Sequence, residues 1–182
     1  MLKTDLSGMP CPVARSLDKV GEWWSILILR ECSYGETRFD AIQKSLGIAP
    51  NMLTRRLNDL VESGLLERRQ YCEKPPRFEY LLTEVGRDFR PVLLALLAWG
   101  NKHFAPEGKV LILRDLVTGE EVEPVLMDPA TGLAIDRARH AVAAGPAAKE
   151  STHLRMKRAA ELRAAAEVAA AALITAAGKQ PA

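Results

Sequence analysis

The 182 residues predict a mainly α fold with a small β component. Three observations carry that reading. Residues 39–46 and 50–63 form two short helical patterns separated by a tight turn. Two strand-like runs follow at once, with Lys74, Pro75 and Pro76 at the tip between them. Past Gly108 come short β-like runs and then an alanine-rich stretch. Two helices, a turn and then a hairpin make the winged form of the helix-turn-helix. The remainder reads as a short C-terminal β meander and a helical tail.

In chain order, Cys11 precedes Pro12, and Val13, Leu17 and Val20 set out a helical pattern. A cysteine at a helix start feels the positive end of the dipole, which favours the reactive thiolate. A small packed residue is the alternative reading. Residues 23–32 are strongly apolar, and Trp23, Ile26, Leu27 and Leu29 are expected on the floor of the core. The next helix, about Phe39 to Leu46, turns Phe39, Ile42 and Leu46 to one face. Gly47 ends it, and Ile48-Ala49 makes the turn.

The helix from Pro50 carries most of the functional reading. Proline suits a first helical position, because its missing N–H would be unpaired there anyway. Gly64 stops the helix. Leu53, Leu57, Leu60 and Val61 share one face, and at about 100° per residue Asn51, Arg55, Asn58 and Glu62 lie opposite. Thr54 and Arg56 flank that polar face. Asn and Arg are the residues that pair with adenine and guanine edges in the major groove. An ordinary amphipathic surface helix would show the same stripe, so the neighbouring elements matter.

Leu65 to Tyr71 reads as a strand, and Arg77-Phe78-Glu79-Tyr80-Leu81 alternates as its partner. Between residues 38 and 77 stand eight basic and five acidic side chains. The excess is small, but the arginines fall on the helix face and the wing, where phosphates would lie. Thr83 can cap the next helix. Residues 84–104 are apolar on more than one face, and Pro91 must kink or restart the helix. So wide a stripe predicts a dimer interface that includes Val92, Leu96, Trp99 and Phe104, packed with N-terminal helices; packing within the chain is the alternative. Val110 to Leu113, Glu121 to Leu126 and Leu133 to Ile135 suggest three strands. Two Thr-Gly turns recur among them, but the residues between differ too much to claim a repeat. Residues 141–148 read as a linker, and 149–177 as a helix by propensity or a tail.

A family resemblance spans roughly residues 8–105. It rests on Cys11-Pro12-Val13, Val20-Gly21-Glu22-Trp23-Trp24, Arg38-Phe39, Leu46-Gly47-Ile48, Leu53, Arg56-Leu57, Leu60, Gly64-Leu65-Leu66, Tyr80-Leu81-Leu82-Thr83, Gly86, Pro91-Val92 and Trp99-Gly100. Together these resemble the HxlR-type winged-helix transcriptional regulators of bacteria. The resemblance implies a homodimer on a palindromic operator, with a reading helix at 50–63 and a wing at about 70–78. It also offers Cys11 as a sensor of oxidants or electrophiles, because several such regulators carry a sensing cysteine there. Ala49 departs from the pattern, since a serine often caps the reading helix.

The expected contacts with double-stranded DNA are Asn51, Thr54, Arg55 and Asn58 on base edges, and Arg38, Arg56, Lys74 and Arg77 on phosphates. Expected partners are DNA, a second copy of the chain and a small-molecule or oxidant effector, with no membrane. The formal net charge of +2 excludes a general polycation, so the basic residues must act by local placement. No signal peptide or membrane span is expected, which points to the cytoplasm. The three cysteines make no disulfide framework, and the three scattered histidines suggest no metal site. No nucleophile–base pair or phosphate loop suggests an enzyme, and no cofactor is expected. A protein-interaction module that reuses the winged helix without DNA is the rival reading. The expected organisation is a DNA-binding and dimerisation domain over 1–108, a β meander over 109–136, and a linker and alanine-rich tail over 137–182.

Overall fold

The computed structural model describes residues 5–177, with side chains through residue 170. The remaining ends of the expected first domain and tail lie outside the described residues. The chain divides into two compact units, 1–134 and 135–182.

In the first unit, α1 (Pro12–Val20) and α2 (Trp23–Ser33) lead into α3 (Phe39–Leu46) and α4 (Pro50–Glu62). Gly47 closes α3 with φ of 62°, a left-handed geometry that glycine adopts without steric cost. The core sits where α2, α3 and α4 meet the hairpin. Ile28, Leu29, Ile42, Leu53, Leu57 and Leu60 are fully enclosed there. Trp23 does not join them: it is 73% exposed. The buried face of α2 runs through Ser25, Ile28, Leu29 and Cys32, at spacings of three and four, and Trp23 falls on the opposite side.

The hairpin pairs β1 (Leu66–Glu73) with β2 (Pro76–Leu82) antiparallel, Arg69 opposite Glu79. The register slips between Gln70 and Cys72, so Tyr71 is the extra residue of a bulge. The loop before α3 adds a partial third strand. Arg38 bridges Glu79, and the Tyr80 N–H donates to the Thr37 carbonyl at 2.7 Å. The wing is thereby anchored to the helix-turn-helix rather than left as a lone ribbon, which would be marginal.

Thr83 caps α5 (Glu84–Arg87), its hydroxyl oxygen accepting the Gly86 N–H at 3.1 Å. The chain restarts as α6 (Arg90–His103), with Pro91 in the first turn, as the missing proline N–H dictates. The β region after α6 is two separate ladders, not one three-stranded meander. β3 (Leu113–Arg114) pairs β4 (Glu121–Val122), and β5 (Met127–Asp128) pairs β6 (Leu133–Ala134). The physical reason lies in the turns. Asp115 accepts the N–H of Val117 at 2.7 Å, and Asp128 accepts that of Ala130 at 2.9 Å. The glycines four residues on donate back to the aspartate carbonyls at 2.9 and 2.8 Å. Such local bonds close each hairpin on itself, and Pro124 between the two has no N–H to extend a ladder. These bonds also hold both carboxyls below the ordinary aspartate range, the N–H of Thr118 leading for Asp115 and that of Ala130 for Asp128. The same turn thus occurs twice in geometry although the sequences between differ.

In the second unit, Asp136 and His140 bound a short turn, and α7 (Glu150–Ala177) follows. Its run of alanines accounts for the helix by propensity. No helix among the described residues is long and apolar enough to cross a membrane.

Candidate nucleic-acid interface

α4 turns a polar face outward because its leucines are consumed by the core. Asn51, Thr54, Arg55 and Asn58 are all exposed on it. Thr54 donates its hydroxyl to the Pro50 carbonyl at 2.9 Å, and Asn51 accepts the Met52 N–H at 2.8 Å. Arg55 lies along its own helix, with Nη2 3.2 Å from the Met52 sulfur. Each of these is a local, exposed contact that a stronger partner can replace.

Arg56 differs, and the expectation that it holds phosphate is corrected. Its side chain is only 8% exposed, with Nη2 2.9 Å from Glu22 and Nη1 3.0 Å from Asp59. Arg56 lies three residues after Leu53 and four before Leu60, which places it at the edge of the buried stripe. Two carboxylates, one of them from the α1–α2 junction, then complete the enclosure. A guanidinium so engaged is not available to a phosphate.

The wing supplies the remaining basic groups. Lys74 and Arg77 are exposed at and beside its tip. Arg38 is exposed in front of α3, with its guanidinium 4.8 Å from the Tyr71 ring centroid. The bulge that re-aims Tyr71 is what brings the two together. Arg38, Tyr71, Arg77 and Phe78 share the rim of one surface pocket. Arg68 is absent from the expected contacts. It is exposed, with its guanidinium 3.6 Å from the Phe78 ring centroid, a diagonal contact across the hairpin that the strand register sets. Arg69 is exposed but neutralised by Glu79 at 2.9 Å.

A second buried network positions α3. Glu31, nearly enclosed, takes the Ser45 hydroxyl at 2.6 Å and the Arg30 Nε–H at 2.9 Å. It ties α2 to α3, the helix that precedes α4. No spacing in the sequence announces it, because Glu31 and Ser45 belong to different helical patterns.

The model of the HxlR-like helix-turn-helix family matches residues 19–108, the stretch that spans α2 through α6. The HTH-type transcriptional regulator Rv3095 of Mycobacterium tuberculosis is 43% identical over 116 residues, 63% of this chain and 73% of its own. The chain belongs to the HxlR-like helix-turn-helix family. It is a transcriptional regulator with a helix-turn-helix domain, as its relatives are named. The structure of PA1374 from Pseudomonas aeruginosa, a candidate transcription factor, is 50% identical with a TM-score of 0.59. That match covers 80% of this chain and 99% of the other. PA1607, likewise a candidate transcription factor, is 37% identical with a TM-score of 0.69, covering 77% and 99%. Both matches extend beyond residues 1–108, so these two structures share part of the chain after the winged helix.

The cysteines of this HxlR-like chain occupy three settings. Cys11 is half-buried at the N-cap of α1. Cys32 is buried, and burial, with the Glu31 carboxylate adding, pushes its thiol up to about 12. Cys72 is half-buried beside the wing tip, its sulfur 3.7 Å from the Lys74 carbonyl.

Proposed function

We propose that this regulator binds a palindromic operator as a homodimer, with α4 in the major groove and the wing on the flanking backbone. The observation that carries it is the division of α4: leucines inward, Asn51, Thr54, Arg55 and Asn58 outward beside a basic wing. Asn and Arg on such a face suit base edges. Arg38, Lys74 and Arg77 suit phosphates, and Arg68 joins them while Arg56 leaves the set. The dimer reading is supported by α6, where no residue is buried and Val92, Leu96, Trp99 and Phe104 all stand exposed. A two-fold axis there would set two reading helices a whole number of helical turns apart on DNA. Residues 1–108 would form the DNA-binding and dimerisation domain, acting in the cytoplasm, without catalysis.

Cys11 is the proposed sensor of an oxidant or electrophile. It sits half-buried at the N-cap of α1, which presents the exposed apolar residues Val13 and Leu17 beside it. The test is a gel-shift titration with DNA from upstream of its own coding region, at two salt concentrations, with and without a quinone or a peroxide. A specific, salt-sensitive shift is expected, released by the oxidant and insensitive to it in Cys11→Ser. Absence of a shift on every upstream fragment would favour a winged helix used for protein contacts. Release that persists in Cys11→Ser would remove the sensor role.

A further inference from the structure

Arg56 leaves the DNA-contact set, but its surroundings assign it another task. We infer that the Glu22–Arg56 ion pair is a strut through which the α1–α2 junction sets the position of α4. Both are then positioning residues for base reading, an inference that rests on α4 being the reading helix.

The geometry has a fixed side and a moving side. Glu22 is the N-cap residue of α2, directly after α1. The junction is held hard against α1: the Gly21 N–H donates to the Leu17 carbonyl at 2.7 Å, and a Cβ at Gly21 would lie 2.3 Å from that oxygen. Only glycine permits this approach. Val20, at the end of α1, is itself buried in the core, and α1 packs on α4. Glu22 therefore moves with α1, and its carboxylate grips Arg56 Nη2 at 2.9 Å.

On α4, Asp59 holds Nη1 of the same guanidinium at 3.0 Å, and Nε is enclosed without a partner among the described residues. These two carboxylates thus define where the guanidinium sits. Leucine contacts resist separation of helices but resist rotation and sliding weakly, because dispersion has little direction. A hydrogen-bonded ion pair is directional. Here the guanidinium is enclosed while the Glu22 carboxylate is 46% exposed, so the pair adds little to stability and acts by fixing a register. Arg56 stands between Arg55 and Asn58 on one rigid helix, so a rotation that breaks its pair re-aims both. A small displacement of α1 reaches the reading face by this route.

The test compares two substitutions that each remove one carboxylate charge from Arg56 in the full chain. Glu22→Gln cuts the link to α1, whereas Asp59→Asn cuts only a link within α4. The readouts are the affinity ratio for operator over scrambled duplex, amide hydrogen exchange along α4, and thermal melting as a check that both variants fold. The expected result for Glu22→Gln is a loss of discrimination of about tenfold, within the range that coupling residues carry, with faster exchange in α4. Asp59→Asn should keep discrimination within about twofold at a comparable melting temperature. Equal discrimination in the two variants, whether retained or lost, overturns the strut. Should the wild type itself fail to discriminate, the DNA reading of α4 falls, and exchange decides the strut alone. Faster α4 exchange in Glu22→Gln only would uphold it; equal exchange in both variants would overturn it.

Discussion

α4 and α6 are helices of similar length, 13 and 14 residues, and they end in opposite conditions. α4 buries Leu53, Arg56, Leu57 and Leu60 within its own chain and leaves a polar face outside. α6 is the more apolar by composition, yet buries no residue at all. Trp99 is 55% exposed, meeting Phe104 edge-on at a centroid distance of 4.8 Å, and Phe104 is exposed too. Burial follows from where each helix lies and not from how apolar it is. α4 is surrounded by α2, α3 and the hairpin. α6 packs on α2 and contributes no residue to the enclosed core. A helix with spent apolar residues has only polar chemistry to offer a partner, while one with unspent apolar residues asks for an apolar partner.

The comparison breaks first if α4 is not the keystone of the core. Leu57→Ala removes a fully enclosed side chain and should cost about 2–5 kcal/mol, read by chemical denaturation at fixed protein concentration. A loss below about 1 kcal/mol would mean that the core around α4 is looser than its burial indicates. The second test addresses α6. Trp99→Ala should weaken self-association by about 2 kcal/mol or more if Trp99 is an interface anchor, measured by analytical ultracentrifugation across a dilution series. Unchanged association would place any dimer contact elsewhere.

Much of this architecture is legible in the residues, and the failures share one cause. The ends of α3 and α4 follow from Gly47 and Pro50, and the wing from the alternation of Arg77 to Leu81. These signals are local, as helix stops and strand alternation always are. Arg56 sits on the margin of the leucine stripe, and the group that draws it inward, Glu22, lies in another helix pair. Trp23 looks like core by composition, but the rotation of α2 is fixed by the residues that its neighbours enclose. The β-like runs after Gly108 suggest three strands, yet aspartate side chains bonding to nearby N–H groups close two short hairpins instead. Among the site residues, exposure on α4 is legible from helical phase. The Arg68–Phe78 and Arg38–Tyr71 stacks depend on the strand register and its bulge, which no spacing fixes.

The polar face of α4 gives a finer test. Arg55→Ala should cost about 1–3 kcal/mol on the operator and relax preference at one base pair in each half-site. The measurement is a competition assay against every single-base variant of the half-site. An equal loss on all sequences would demote Arg55 to a backbone contact and leave the reading to Asn51, Thr54 and Asn58.

The smallest expected effect lies at the wing tip and separates it from α4 in kind rather than size. Lys74 is exposed on the turn before Pro75 and Pro76, where an ammonium suits a phosphate. Lys74→Ala should therefore weaken all duplexes alike and reduce the salt slope of binding by about 1. The two substitutions make a crossed design: Arg55 changes the ratio between sequences and Lys74 changes the dependence on salt. If Lys74→Ala left the slope intact, the wing tip would stand off the backbone, and Arg38 in front of α3 would carry the phosphate contacts. If it altered the ratio between sequences instead, the wing would read a groove, and the division of labour between helix and hairpin would have to be redrawn.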